Sequence, residues 1–507
     1  MPPEKFSSEL ANRLPELVKR SPHVHLRVIV RLATKPTEII FGASRTAEVR
    51  ARAFEILDQT GLSKKMLETL QVEPHEVFDL APGFSASIPI KNLERLAHEE
   101  AVSSIEPDRI FAIRLNKVKE IVGTLRPPES TAGGKGVTIA LLDTGIDIEH
   151  PDLRERIDLG NSRNFTDEGD SHQLTDNYGH GTHVAGIAAG SGVSSNGTFR
   201  GVASGAKLMV LKVFNKNGWG FGGWISMAVA WAVKHGAEVI NFSGGYSPWI
   251  PPWLTVAPPW VWSIHRAHVE GTFDAAVTFG TVVTVAAGND ANLSPLSGGK
   301  GTINLPATAE NVISVGSIWK DRALSSFSSR GPVYRSPHLR LGDVKTLTSG
   351  QDAFDVMKPD VVAPGGEIDS DLMALGLCGY HEGIVSAKAR NLHETLKRCI
   401  LPNNRDYLRC SGTSMASPVV AGIAALAIEE GSNLGLNWGG LQRANIIKNL
   451  IMRTAEDLGL DPTEQGRGCV SWPNVRAVLA EMARDPDLLR QYMKPWYKEG
   501  DQWSSPV

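Results

Sequence analysis

The chain has 507 residues, a net charge of −3 at pH 7 and an apolar fraction of 42%, the balance of an ordinary globular protein with core enough for several domains. That charge and the lack of a long basic run leave nucleic acid and anionic membrane surfaces without electrostatic support as partners, and no uninterrupted apolar stretch is long enough to span a bilayer. Four cysteines, Cys378, Cys399, Cys410 and Cys469, are too few for a disulfide scaffold in so long a chain.

The amino terminus lacks the apolar core of a secretory signal, which predicts a cytoplasmic protein, or a secreted one only where a leader has been removed. Phe6, Leu10, Leu14 and Leu17 lie on one stripe of a short amphipathic helix within an N-terminal segment, 1–22. Next comes a strand at 24–32, with Val24, Leu26, Val28, Val30 and Leu32 on one face, and a helix at 46–59 stopped by Gly61. Strands at 77–80 and 84–88 flank Ala81, Pro82 and Gly83, and a helix at 91–100 precedes a last strand at 102–113. The order β-α-β-β-α-β is that of a small α+β, ferredoxin-like unit, here 23–115. Residues 116–135, with Arg126, Pro127, Pro128, Gly133 and Gly134, read as a linker.

From Gly136 onward, short apolar runs at 137–142, 208–213, 239–242, 282–286 and 312–315 alternate with helical patterns such as 225–235. This predicts an α/β domain, 136–485, with a mostly parallel sheet sandwiched by helices. Three stretches interrupt it. Residues 246–272 carry Trp249, Trp253, Trp260 and Trp262 amid five prolines and read as a loop, either walling a cleft or folded onto its own domain. Residues 333–357 are polar and uninformative. Residues 367–409 hold Cys378 and Cys399, with Cys410 just beyond; a Cys378–Cys399 bridge would staple this stretch, but spacing does not settle the pairing. Helices at 441–454 and 475–484 read as surface helices, and the tail 486–507 as irregular.

Three short motifs carry chemistry. In SGTSMASPVVAGIAALAI, from 411, small and apolar residues on every side predict a buried helix with Ser414 and Pro418 in its first turn. A serine there either caps the helix or sits among N–H groups that favour a nearby anion. Asp143 closes the first apolar run at DTGID, where a turn residue would also stand. His180 and His183 share a helical face in HGTHVAG; such a pair can bind zinc, yet no HExxH pattern or nearby carboxylate completes a ligand set.

Together DTGID, HGTHVAG and GTSMASP, with FSSRGP at 327 and KPDVVAPG at 358, resemble the subtilisin-like serine proteases (subtilases) over about 136–479. The stretch 84–113 is similar to the inhibitor-type propeptides that precede such catalytic domains. The resemblance implies an endopeptidase acting on proteins or peptides, with no cofactor needed for the chemistry. It implies Ser414 as nucleophile, His180 as general base, Asp143 as its orienting partner, and Asn289 with Ser414 as the oxyanion hole; Asn289 otherwise reads as a turn residue beside Gly288. Substrate would lie extended between Gly218, Trp219, Gly220 and Ser243, Gly244, Gly245. Trp219 then either favours apolar side chains or packs outward. The first domain would be an intramolecular inhibitor and folding aid, removed by self-cleavage within 112–135 near Arg114 or Leu115, or else a permanent regulatory domain. Asp152 matches a calcium ligand of some relatives, but SGVSSNGTFRGV after Gly190 shows no calcium loop; a structural calcium ion stays open and no metal residue is assigned.

Overall fold

A computed structural model of the protein describes residues 5–6, 14–15, 18–19, 22–23, 25–38, 40, 46–78, 83–107, 110–112, 133–246, 261–293, 298–319, 322–335, 354–367, 383–401, 403–438 and 440–493. The first unit contains β1 (His25–Leu32), α1 (Ala47–Gln59), α2 (Lys64–Thr69), β2 (Glu73–Phe78), β3 (Gly83–Pro89), α3 (Leu93–Ala97) and β4 (Val102–Pro107). Its strands form an antiparallel sheet in the order β2-β3-β1-β4, with Val28 opposite Ala86 and Val30 opposite Ile105. Alternation along β1 buries Val28 and Val30 in one core with Phe54 and Leu57 of α1, Phe84, and Leu93 and Leu96 of α3. The predicted β-α-β-β-α-β order is therefore present. Helix α1 starts on the Thr46 hydroxyl, which accepts the Val49 N–H at 3.2 Å, and stops before Gly61, as predicted. Helix α2 was not predicted; six residues are too few to show a period. From the amphipathic stripe Phe6 and Leu14 are buried, while Leu10 and Leu17 lie outside the described residues.

The single strand predicted over 102–113 is two. Strand β4 ends at Pro107, and β5 (Ile110–Ala112) leaves the sheet to pair with the second unit. Residues 113–132, which hold most of the predicted linker and the predicted cleavage region, lie outside the described residues.

The second unit contains β6 (Thr138–Asp143), β7 (Arg163–Asn164), α4 (His180–Ala189), β8 (Lys207–Lys212), β9 (Trp219–Phe221), α5 (Gly222–Lys234), β10 (Val239–Phe242), α6 (Val261–Thr278), β11 (Val282–Ala286) and β12 (Ile313–Ile318). Then follow β13 (Val333–Arg335), β14 (Phe354–Val356), β15 (Val361–Pro364), β16 (Ile384–Ala387), α7 (Glu394–Lys397), β17 (Tyr407–Cys410) and α8 (Thr413–Asn433). Seven strands form a parallel sheet in the order β15-β12-β11-β10-β6-β8-β7, as the alternation of apolar runs with helical patterns predicted. Helix α8 runs against β10, β11 and β12 and packs on α4, while α5 packs on α6. Hairpins β13–β14 and β16–β17 come from the second and third interruptions.

Several expectations need correction. The Trp- and Pro-rich interruption is not a loop throughout: from Val261 it is the start of α6, because the prolines end at 259 and the following residues carry a helical pattern; Trp249, Trp253 and Trp260 lie outside the described residues. Helix Arg443–Arg453 is not on the surface, since Ile446, Ile447, Leu450 and Ile451 are fully buried. Regular structure also passes 485: helix Pro486–Met493 docks through the Tyr492 carbonyl, which accepts the Asn449 amide at 2.8 Å. Finally, Pro418 lies beyond the first turn of α8, which begins at Thr413. Its missing N–H would have bonded the Ser414 carbonyl, and the Ser243 hydroxyl takes that acceptor instead at 2.9 Å.

Candidate active site

Parallel strands end at one rim, so residues at their carboxyl ends meet although far apart in the chain. Asp143 is the last residue of β6 and is buried; its Oδ1 accepts the Thr144 N–H at 2.7 Å and lies 2.7 Å from His180 Nδ1. His180 opens α4 and is fully buried. The turn before it is tied by Asp176, which accepts the N–H groups of Tyr178, Gly179 and Thr182 and the Thr182 hydroxyl. A carboxylate at a helix amino terminus satisfies donors that would otherwise be orphaned and offsets the positive end of the dipole. Gly181 follows His180 because a side chain there would meet the Gly145 carbonyl and Asp143.

Ser414 is the second residue of α8. Its Oγ donates to the Ser243 carbonyl at 2.9 Å, the reverse of the bond that Ser243 Oγ makes to the Ser414 carbonyl. The hydroxyl is therefore not hydrogen-bonded to His180, and among the described residues His180 Nε2 has no hydrogen-bond partner. The structure brings Asp143 and His180 into direct contact and ties Ser414 to Ser243, a residue predicted to lie on the substrate edge.

Asn289 follows β11 and has its Oδ1 fixed by the N–H and hydroxyl of Thr413, at 2.9 and 3.1 Å. That anchoring decides which end of the amide faces α8. Gly412, at φ 145°, leaves a gap in which a Cβ would lie 3.1 Å from Asn289 Nδ2, 3.4 Å from its Oδ1 and 3.5 Å from the Ser414 nitrogen. The Asn289 amide and the Ser414 N–H thus border one small space beside the serine, with Oδ1 already turned to Thr413.

Of the predicted substrate edge, Trp219 and Gly220 lie on β9, directly after Gly218. Strand β9 pairs antiparallel with β5, with Phe111 opposite Gly220 and Ala112 opposite Trp219. Trp219 is about half exposed. Ser243, Gly244 and Gly245 follow β10 at the same rim. The first unit makes a second contact close by: buried Glu76 of β2 accepts the Trp224 indole N–H at 3.0 Å near the start of α5 and also accepts the Ser85 hydroxyl.

His183 does not share His180's role. It is fully buried with Nε2 3.1 Å from the Ile384 carbonyl, and burial, then the neighbouring His180, pulls its pKa down to about 3, so it stays neutral. Among the described residues no group of three or more His, Cys, Asp or Glu side chains is placed to hold a metal ion. At the calcium-ligand position Asp152 is already engaged by the protein: its Oδ2 accepts the Tyr407 hydroxyl and its Oδ1 the Ser194 N–H, contacts that a cation there would compete with. Cys399 is disulfide-bonded, and Cys378, the partner the sequence suggests, lies outside the described residues. Cys410 and Cys469 are free and buried, and burial pushes the Cys410 thiol well above its ordinary range.

Sequence reasoning missed Thr144, Asp176 and Lys212. Thr144 Oγ1 accepts the Gly181 N–H at 2.8 Å, joining the Asp143 turn to the His180 helix. Lys212, fully buried, donates to the Thr144 carbonyl at 2.5 Å and has Glu168 Oε2 3.3 Å away. Its signal in the text is a lysine inside the apolar run LMVLKVF.

The model of the subtilase family matches residues 134–468. An intracellular serine protease of Paenibacillus polymyxa is 32% identical over 70% of this chain and 85% of its own length. The major intracellular serine protease of Bacillus subtilis (strain 168) is 30% identical over 74% and 94%. Among solved structures, fervidolysin of Fervidobacterium pennivorans, described as a keratinolytic enzyme related to subtilisin, is 19% identical with a TM-score of 0.58; the alignment covers 90% of this chain and 61% of that one, and supports the fold alone. On a family match that spans every strand of the parallel sheet, the chain belongs to the subtilase family and is a subtilisin-like serine peptidase.

Proposed function

We propose that the protein hydrolyses peptide bonds through an acyl-enzyme on Ser414 and is made as a self-inhibited precursor. A neutral hydroxyl is a weak nucleophile, so the Ser414 proton must pass to His180 Nε2 as Oγ bonds to the scissile carbonyl carbon. This requires the hydroxyl to turn from the Ser243 carbonyl to the imidazole, whose Nε2 has no other partner among the described residues. Asp143, 2.7 Å from Nδ1, keeps the proton on that nitrogen before attack and stabilises the imidazolium after it. His180 then gives the proton to the leaving amine, and water attacks the ester by the same route. The oxyanion is met by Asn289 Nδ2 and the Ser414 N–H, a role supported by the shared gap beside Gly412.

The observation that carries the zymogen reading is β5 seated on β9. Glycine-flanked edge strands bind extended peptides by ladder hydrogen bonds, and here the peptide is the protein's own chain. Gly218, Trp219 and Gly220 would hold substrate on one side and Ser243, Gly244 and Gly245 on the other. The first unit acts as intramolecular inhibitor and folding aid, and self-cleavage falls within 112–135, near Arg114 or Leu115. Proteins or peptides are the substrates, and no cofactor enters the chemistry.

Fluorophosphonate labelling of the full-length and trimmed forms tests the chemistry. Labelling at Ser414 that rises on trimming is expected; an unreactive Ser414 in both forms would leave a scaffold without catalysis. Two relatives named as intracellular proteases support action inside the cell, and secretion by intact cells would reverse that reading. Among the described residues no helix is long and apolar enough to cross a membrane.

A further inference from the structure

The third interruption contributes the hairpin β16–β17, and Tyr407, the first residue of β17, is fully buried. Its hydroxyl donates to Asp152 Oδ2 at 2.6 Å, and the Ser194 N–H donates to Oδ1 at 3.0 Å. The Ser191 N–H reaches the Asp152 carbonyl at 3.0 Å. From the same hairpin, the Asn404 amide donates to the Ser194 carbonyl at 2.9 Å. Ring packing encloses the bond: Phe199 lies 4.9 Å from Tyr407 between centroids, and His150 meets it edge-on at 6.0 Å.

These contacts converge on the loop that follows α4. It turns through left-handed residues at Gly192, Asn196 and Gly197 and has only a single 3-10 turn of its own, Val193–Ser195. Such a loop needs an external fastening. A cation would provide one by collecting lone pairs from a carboxylate and main-chain carbonyls. Here both carboxylate oxygens and the carbonyls of Asp152 and Ser194 already receive N–H or O–H donors. A hydrogen bond to a carboxylate is among the stronger neutral-to-ion contacts, more so where water is excluded. Burial and the Asp152 carboxylate hold the Tyr407 phenol above its ordinary range, so it remains a donor in neutral and mildly basic solution.

We propose that Tyr407 takes the part of a structural divalent cation at Asp152: the inserted hairpin fastens the loop after the His180 helix by hydrogen bonds, and the fold at this position is independent of calcium. The inference stands apart from the catalytic roles above, since it concerns loop anchoring and not Ser414.

The test uses the full-length Ser414→Ala protein, which cannot digest itself, and reads its thermal midpoint in excess EDTA and in millimolar calcium chloride. The same midpoint in both is expected. Adding Tyr407→Phe should lower it by roughly 2–6 °C in both buffers, and Asn404→Ala by less. The proposal fails if calcium raises the parent midpoint and Asp152→Asn abolishes that rise, or if Tyr407→Phe leaves the midpoint unmoved. A calcium response that survives Asp152→Asn agrees with the proposal, because the ion then sits elsewhere. Should Tyr407→Phe not fold, the comparison of parent and Asp152→Asn in the two buffers decides alone.

Discussion

The two larger sheets among the described residues are used in opposite ways. The antiparallel four-stranded sheet keeps its polar groups for docking: buried Glu76 of β2 meets Trp224, and the strand that follows β4 lies along β9. The parallel sheet buries every position of β10, β11 and β12, so its strands offer chemistry only where they end. Asp143 ends β6, Ser243 follows β10 and Asn289 follows β11. One unit supplies a strand of three residues that pairs along an edge, and the other a rim where polar side chains gather; the Glu76–Trp224 bond is a second contact between them.

Substitutions at the rim should affect rate most. Asn289→Ala is expected to lower kcat by about 10²–10³-fold with little change in KM, since an oxyanion donor acts mainly in the transition state; an equal rise in KM would break the assignment. Lys212→Met should lower kcat by about 10–100-fold, because the Thr144 peptide that links Asp143 to the His180 helix loses its buried donor. Steady-state kinetics on the trimmed protein would show that split, and unchanged kcat would make Lys212 merely a buried ion pair. At the docking face effects should be of stability. Trp224→Phe in the Ser414→Ala background leaves the Glu76 carboxylate short of a donor, costing about 1–3 kcal/mol. Faster hydrogen exchange in 73–107 would report it.

A further stability effect is confined to acid. His183 binds its proton in the unfolded chain near pH 6.5 but only near 3 when folded. The unfolded state therefore binds more protons between those values, so this contribution is complete above about 6.5 and is lost as pH falls towards 3. A His183→Asn variant should show a shallower fall in unfolding free energy across that window, and an unchanged slope would mean that other groups dominate it.

Periodicity made most of both sheets readable. Alternation in β1 and solid apolar runs in β10 and β11 depend on neighbours close in the chain. Helix α6 was hidden because the prolines before Val261 suggested a loop for the whole stretch. The burial of Arg443–Arg453 was unreadable because Lys448 and Arg453 interrupt its apolar pattern; Lys448 is buried with its ammonium on the carbonyls of Glu310 and Val312. At the site, residue types with known chemistry stood out in short motifs. Thr144, Asp176 and Lys212 did not, because each acts through main-chain groups that only the folded turn assembles. The Tyr407–Asp152 bond joins residues 255 apart, and no local pattern marks it.

On the function proposed here, the peptide running along β9 is the protein's own first substrate. Intact-mass spectrometry of full-length wild type and Ser414→Ala, incubated side by side, tests it most directly. The wild type alone is expected to lose its first unit, by a cut within 112–135, while Ser414→Ala keeps its full mass. Trimming of both proteins at the same bond, or a wild type that is active yet never trimmed, would contradict it.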